Sequence, residues 1–358
     1  MKFYRSKGFD FFLFLFYLVI FSLGAFAILS TSSSTFQSQL IFFAIGIVLY
    51  FATSFFDISL FKKPLFVFIL YILSLLLLAG LFVFGENIRG SVRWYNLKFF
   101  NFQPSEVVKI VEIVILAKIL GPLSLPYLSV KKIILSFLII SPFVLLVAKQ
   151  PDLGNALVLL GIWVFMVFYA GVNPKQILVF LLAIFLISYP VWNVLHDYQR
   201  QRVISFINPY ADPLGSGYNV IQSIVAVGSG GTFGRGFGRG TQSHLRFLPE
   251  YRTDFIFAAF SEEWGFLGSL VLIIFYFGLL YKILAISQKA KDSFSALLSL
   301  GAFSLLFIQC VVNIGMNLGV LPVTGITLPL VSYGGSSLIA TSIVLGLSQN
   351  IAIKNKLW

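Results

Sequence analysis

The chain has 358 residues, of which 58% are hydrophobic and only 11% charged, with a mean hydropathy of +0.95 and a net charge of +12. A soluble domain carries about 25% charged residues, so this composition excludes that class and indicates a polytopic membrane protein. The basic residues are divided among short stretches between apolar runs, which argues against nucleic-acid binding. The single cysteine, Cys310, lies in an apolar run, so neither a disulfide framework nor a thiolate metal site is expected.

Apolar segments long enough to cross a bilayer occur ten times along the chain. A hydrocarbon core of about 30 Å requires about 20 apolar residues in a helix. The predicted spans are residues 10–31, 37–56, 64–84, 104–121, 132–149, 153–171, 176–196, 253–281, 295–318 and 329–350. We therefore expect one all-α polytopic membrane domain, residues 1–358, with about ten transmembrane helices. A long extracytoplasmic loop, residues 197–252, separates the seventh span from the eighth, and residues 219–227 within it could form a short interfacial helix.

Lysine and arginine are distributed differently among the loops. Most lysines fall in short loops on the side of the two termini, and lysine in short loops marks the cytoplasmic face, so both termini are expected in the cytoplasm. Eight of the nine arginines lie on the outer side: Arg89, Arg93, Arg200, Arg202, Arg235, Arg239, Arg246 and Arg252. A guanidinium can bind phosphate bidentately, so these arginines indicate an anionic substrate such as a lipid phosphate.

Asp254 stands where the eighth predicted span enters the membrane from the outer side. A carboxylate that loses hydration there can have a pKa high enough for a general base. The residues alone support equally well a helix N-terminal carboxylate stabilised by the macrodipole.

Further charged residues fall inside predicted spans. Glu106, Lys109 and Glu112 stand at successive i,i+3 steps in the fourth span and can neutralise one another along one helix face. Glu262 and Glu263 in the eighth span lie roughly 12 to 14 Å deeper than Asp254 by helical rise. Charges at such depth are costly and form either a structural latch or a polar pathway. Residues 228–240 are rich in glycine and include Arg235 and Arg239, a composition that suits either phosphate binding by backbone amides or a flexible turn.

Several motifs occur in order along nearly the whole chain. They are Gly-Ser-Val-Arg-Trp at 90–94, Phe-Gln-Pro-Ser-Glu at 102–106, Gln-Pro-Asp-Leu-Gly at 150–154, Thr-Asp-Phe-Ile-Phe at 253–257 and Pro-Leu-Val-Ser-Tyr-Gly-Gly-Ser-Ser at 329–337. Together they resemble the SEDS proteins (shape, elongation, division and sporulation), which are ten-span bacterial peptidoglycan glycosyltransferases. Residues 240–243 and 247–250 resemble the elongation branch of that family more than its division branch.

The resemblance implies polymerisation of lipid II in the bacterial cytoplasmic (inner) membrane. Asp254 matches the family's essential aspartate and would act as the general base. The outer arginines are candidates to bind the pyrophosphate of the polyprenyl-linked glycan: Arg200, Arg202, Arg235, Arg239 and Arg246. A divalent cation, Mg²⁺ or Mn²⁺, could share this role at a site that the sequence does not define. The implied partner is a class B penicillin-binding protein, a transpeptidase.

Two other functions are compatible with the residues. A transporter that flips the lipid-linked precursor would use the charged residues inside the spans to line a passage. A noncatalytic scaffold for a cell-wall synthase would explain the membrane surface but not the arginines around an outer carboxylate. Asp254 argues against the transporter, because alternating-access sites usually lie near the membrane midplane.

Overall fold

The computed structural model describes residues 8–88, 91–98, 100–121, 127–194 and 197–356, so Arg89 lies outside the described residues. Ten helices coincide with the ten predicted spans: α1 Phe11–Thr31, α2 Ser33–Ser54, α3 Pro64–Phe84, α4 Pro104–Leu120, α5 Val130–Lys149, α6 Leu153–Tyr169, α7 Pro174–Val194, α11 Ile256–Lys289, α12 Ser293–Asn317 and α13 Gly335–Asn355. Seven of them are long and apolar enough to cross a membrane, and α6 is a shorter apolar helix. The prediction of an all-α polytopic membrane protein is confirmed.

Helix α4 lies at the centre of the bundle, because almost all its side chains are buried. It packs against α3, α5, α6, α12 and α13, while α2 packs along α13 and α1 along α11. The outer helices α2, α3 and α5 expose large apolar side chains such as Ile41, Leu76 and Leu138, as expected of helices that face lipid.

The lysine-rich loops and the arginine-rich segments occupy opposite ends of the bundle. The beginning of α1 and the end of α13 lie together, since a Cβ on Gly8 would stand 2.8 Å from the carbonyl oxygen of Ile353. Three ion pairs tie lysines to carboxylates at this end: Lys282 with Asp10, Lys62 with Asp292, and Lys354 with Asp57. The arginine-rich segments lie at the other end, where Arg252 contacts the last turn of α1.

A small antiparallel sheet follows α3 at the arginine-rich end. Its strands are β1 Glu86–Ile88, β2 Ser91–Asn96 and β3 Asn101–Phe102, in the order β1-β2-β3. The apolar spans gave no indication of it. The sheet carries Arg93 on its central strand, immediately before α4.

Residues 197–252, predicted to be the long extracytoplasmic loop and called the outer segment below, are folded. They contain α8 Asp197–Ile207, α9 Tyr218–Ser229 and α10 Thr241–His244. Helix α9 confirms the short helix predicted at residues 219–227. It packs against α11 and α12, where Ser223 and Ala226 are fully buried.

Helix α11 is interrupted at Gly265, whose φ of 68° and ψ of −166° are not helical. In a continuous helix the amides of Phe266 and Leu267 would donate to the carbonyls four residues earlier. They donate instead to the carbonyls of Gly231 and Thr232 in the glycine-rich loop. The eighth span is therefore two helical segments, residues 256–264 and 266–289, with the outer loop bound at their junction.

The same junction engages two backbone amides of the glycine-rich residues 228–240. The carbonyls of Glu262 and Glu263, left open by the break, accept from the amides of Arg235 and Gly236 at 3.0 Å each. These two amides are consumed within the protein. Glycine is required here because a Cβ on Gly265 would come within 2.2 Å of the Gly234 nitrogen.

Candidate active site

Asp254 lies in a rigid turn immediately before α11. The carbonyl of Arg252 accepts from the amide of Tyr333 at 2.8 Å, and the carbonyl of Thr253 accepts from the hydroxyl of Ser332 at 2.6 Å. The segment before α13 therefore holds the turn from one side. Such fixed backbone contacts limit the directions in which the Asp254 side chain can point.

The carboxylate of Asp254 is poised for proton transfer near neutral pH. Burial raises its pKa from 3.8 to about 6, and the nearby carboxylate of Glu250 adds to the increase. The guanidiniums of Arg202 and Arg93 act in the opposite direction, and Asp152 contributes a smaller increase. Among the described residues, none donates a hydrogen bond to this carboxylate, so its oxygens are available to accept a proton from a substrate.

Arg202, on α8, binds the loop that follows α12, and the same loop adjoins Asp254. Its guanidinium donates to the carbonyl of Thr324 at 3.4 Å, and a Cβ on the adjacent Gly325 would stand 3.5 Å from Oδ2 of Asp254. Gly325 has a φ of 74°, which suits glycine and lets the loop come close to the carboxylate.

A cavity of about 190 Å³ opens beside Arg202, and we call it the outer cavity. Its lining consists of Gln201, Arg202, Ser205, Ser216, Asn219 and Val323. These described residues offer amides, hydroxyls and one guanidinium but no carboxylate. The outer cavity therefore suits an uncharged polar group such as a sugar, or an anion.

The guanidinium of Arg93 also lowers the pKa of Asp254, and it is held by residues at the start of α6. Its guanidinium donates to the carbonyl of Pro151 and lies 3.6 Å from the carboxylate of Asp152. Asp152 caps α6 and also accepts from the side chains of Asn155 and Gln103, at 2.8 and 3.3 Å. The sequence-based site did not include Arg93 or Asp152, although both stand in the motifs at 90–94 and 150–154.

Glu106 and Lys109 form a buried ion pair at 2.7 Å, with the Lys109 side chain completely inaccessible. Lys109 also donates to the side chain of Asn155 at 3.2 Å. The pair is thereby connected through Asn155 to Asp152. Glu112, expected to share in neutralising this charged set, is fully buried, and neither carboxylate oxygen has a hydrogen-bond partner among the described residues.

The other predicted arginines lie away from the carboxylate. Arg200 donates to the carbonyls of Trp192 and Asn193 and lies 3.7 Å from Asp197. Arg235 donates to the hydroxyl of Thr241 at 2.9 Å. Arg239 and Arg246 are exposed on the outer segment. Of the five arginines predicted to bind pyrophosphate, the structure brings Arg202 next to Asp254.

Glu262 and Glu263, expected to form either a structural latch or a polar pathway, both contact α10. Glu262 accepts from the amide of Gln242 at 2.9 Å and from the hydroxyl of Thr241 at 3.1 Å. Glu263 lies 3.0 Å from Nε2 of His244. These contacts connect the first segment of α11 to the segment that contains α10.

No group of three or more His, Cys, Asp or Glu side chains within the described ranges could hold a metal ion. Asp254, Glu250 and Asp152 influence one another electrostatically but do not form such a group.

The fold and site together define a multispan membrane protein with a carboxylate of raised pKa, influenced by two guanidiniums, at one end of its helices. The chain belongs to the FtsW, RodA and SpoVE family of cell cycle proteins, which it matches over residues 8–357. The resemblance to SEDS proteins is thus confirmed.

Relatives and solved structures agree with this assignment. The chain is 41% identical over 275 residues to the peptidoglycan glycosyltransferase MrdB of Escherichia coli (strain K12), a match covering 76% of this chain and 74% of that protein. It superposes with a TM-score of 0.84 on a chain from a peptidoglycan synthase complex that coordinates polymerization and crosslinking, at 35% identity and 97% and 98% coverage. The crystal structure of the rod shape determining protein RodA of Thermus thermophilus gives a TM-score of 0.72 at 32% identity, with 96% coverage of both chains. The chain is therefore RodA-like within its family.

Proposed function

We propose that this protein is an inverting peptidoglycan glycosyltransferase that polymerises lipid II into β-1,4-linked glycan strands during cell-wall elongation. The observation that carries the proposal is Asp254, a partly buried carboxylate whose pKa is raised to about 6 despite the electrostatic influence of Arg202 and Arg93. Similarity to the glycosyltransferase MrdB supports the same reaction class.

In the proposed reaction, an oxygen of the Asp254 carboxylate accepts the proton of the acceptor sugar's 4-hydroxyl. The hydroxyl oxygen forms a bond to the anomeric carbon of the growing glycan as the bond from that carbon to pyrophosphate breaks. The electron pair leaves with the polyprenyl pyrophosphate, and one displacement inverts the anomeric configuration. No covalent bond to the protein is formed.

The charge that develops on the departing pyrophosphate requires cationic donors. Arg202 is the best placed of the predicted arginines, because it lies beside both Asp254 and the outer cavity. Arg93 is held by Asp152 and acts electrostatically on the same carboxylate, so it is a second candidate to stabilise this charge. Arg200, Arg235, Arg239 and Arg246 stay predictions as further contacts along the lipid-linked chain.

A divalent cation, Mg²⁺ or Mn²⁺, would be held mainly by substrate phosphate oxygens, since the described side chains offer no metal-binding group. We further propose that the protein lies in the bacterial cytoplasmic membrane with both termini in the cytoplasm, as its lysine-rich end indicates. The partner is proposed to be a class B penicillin-binding protein. Similarity to a chain of a peptidoglycan synthase complex supports this pairing.

The test is purified protein, alone and with its cognate transpeptidase, incubated with lipid II and Mg²⁺, with products separated by gel electrophoresis. Wild-type protein should produce polymer and Asp254→Asn should not. Arg202→Ala should raise KM for lipid II more than Arg200→Ala, whose guanidinium is bound to the end of α7. Transfer of lipid II across liposomes without polymer would favour the transporter, and neither activity would favour the scaffold.

A further inference from the structure

Two buried asparagines on α12 hold the backbone of Asp254, and the proposed reaction has not used them. Asn313 and Asn317 stand one helical turn apart and are both completely inaccessible. The Nδ2 group of each donates to the main-chain carbonyl of Asp254, at 2.9 and 3.0 Å. That carbonyl precedes α11, so it has no partner within the helix.

Each amide also binds a second element of the site. Nδ2 of Asn313 donates to the carbonyl of Ile326 at 2.7 Å, next to Gly325, which adjoins the Asp254 carboxylate. Oδ1 of Asn317 accepts from the amide of Ala258 in the first turn of α11 at 2.9 Å. The two asparagines thus fix Asp254 relative to the loop on one side and the helix on the other.

A third contact extends this arrangement to the outer segment. Ser223 on α9, itself fully buried, donates to the main-chain carbonyl of Asn317 at 2.8 Å. Movement of α9 would therefore be transmitted to Asn317 and from there to Asp254.

We infer that Asn313 and Asn317 are positioning residues for the general base, and that Ser223 links their position to α9. The inference rests on the proposed function, since it concerns the orientation of Asp254 during proton transfer. A base held within hydrogen-bond distance of the acceptor hydroxyl loses about 10²-fold in rate when it is displaced by about 1 Å. Substrate contacts made elsewhere would be unaffected.

The chain offers a matched control at the opposite end. Asn350 is also buried, and its Nδ2 donates to two main-chain carbonyls, those of Thr53 and Phe56, at 3.1 and 2.6 Å. Asn350→Leu removes the same kind of contacts without approaching Asp254. A merely structural role for the three asparagines would give all three Leu variants the same kinetic behaviour.

The experiment uses the full-length variants Asn313→Leu, Asn317→Leu and Asn350→Leu. It measures kcat and KM for lipid II polymerisation and the melting temperature of each variant. Asn313→Leu and Asn317→Leu should lower kcat by between about 10-fold and 100-fold, with KM within about twofold of wild type. Asn350→Leu should lower the melting temperature similarly while kcat stays within about twofold. Equal kcat losses in all three variants, or a raised KM with full kcat, would overturn the positioning role.

Ser223→Ala supplies a second measurement if the leucine variants do not fold. It removes one hydroxyl and should lower kcat about fivefold, the worth of one buried hydrogen bond. Ser229→Ala on the same helix, whose hydroxyl donates to the carbonyl of Ala226, is the control. Equal kcat values for the two serine variants would overturn the inference while leaving polymerisation by the wild type, and hence the proposed function, intact. Absence of polymer from the wild type would overturn both.

Discussion

Replacing Asp254 by asparagine should abolish polymerisation and at the same time stabilise the folded protein. Asparagine keeps the shape of the side chain but can neither accept the acceptor's proton nor carry a charge. Loss of a general base typically lowers the rate by about 10²- to 10⁴-fold. The gain in stability has the same cause as the raised pKa, because burial disfavours the charged form of Asp254 and asparagine carries no charge.

The stability change can be calculated from the pKa of Asp254. Burial raises that pKa from 3.8 to about 6, so between these values the folded state binds more protons than the unfolded state and stability falls as pH rises. At pH 7.5, where both states are ionised, the cost of the folded carboxylate is about 3 kcal/mol. At pH 4.5 the folded carboxyl is mostly protonated, and the cost decreases to about 1 kcal/mol.

The assay is unfolding of wild type and Asp254→Asn in detergent at both pH values, beside polymer yield at neutral pH. The variant should be more stable at pH 7.5, and most of the difference should vanish at pH 4.5. Asp292→Asn serves as a control, because its effect on stability should have the opposite sign. Hydrogen bonds from Lys62 and Ser295 lower the pKa of Asp292, so the charged carboxylate stabilises the folded protein. Full polymer yield from Asp254→Asn would refute the base, and an equal stability gain at both pH values would refute the raised pKa.

Three further outcomes follow from the same contacts. The wild-type kcat should be level above pH 6 and fall about tenfold for each pH unit below it, as Asp254 becomes protonated; a profile still level at pH 5 would contradict this. Lys109→Met leaves the Glu106 carboxylate buried without its cation and should destabilise the protein by about 3 to 5 kcal/mol, whereas adding Glu106→Gln should restore most of the loss in melting temperature. Gly265→Ala should lower the melting temperature and detach the outer loop from α11, measured by hydrogen exchange, while Gly228→Ala, where a Cβ meets nothing within 4 Å, should change neither.

The transmembrane helices could be predicted because apolar length is a local property of the sequence. The break in α11 could not, since the predicted span continues on both sides of Gly265 and a lone glycine is tolerated in a helix. What opens the helix there is a pairing with residues 231–236, which donate and accept the hydrogen bonds that the helix gives up. A contact between two segments has no signature in either one, so the contacts of Glu262 and Glu263 with α10 could not be predicted.

The residues of the candidate site also divide into those that the sequence could predict and those that it could not. Asp254 could be identified because a carboxylate at the start of an apolar span is conspicuous, and Arg202 because it stands in an arginine-rich segment. Arg93 joins them through a sheet that pairs short, weakly patterned strands, and Asp152 through the N-terminus of α6. The proximity of Arg93 and Asp152 to Asp254 could not be derived from the spacing of these residues in the sequence, because it depends on how α4 and α6 pack.

The contacts of the Glu106–Lys109 pair favour support of the site over a pathway across the membrane. A passage for a polar headgroup would require charged side chains that face water, yet the Lys109 side chain is inaccessible and bound to both Glu106 and Asn155. Asn155 in turn holds Asp152, and Asp152 holds Arg93 beside Asp254. The buried Lys109 therefore fixes the N-terminus of α6. Through Asp152 it also fixes Arg93, one of the two guanidiniums that lower the pKa of Asp254. On this reasoning, the Lys109→Met protein that still folds should retain KM for lipid II but lose kcat, because Arg93 would no longer be held in position.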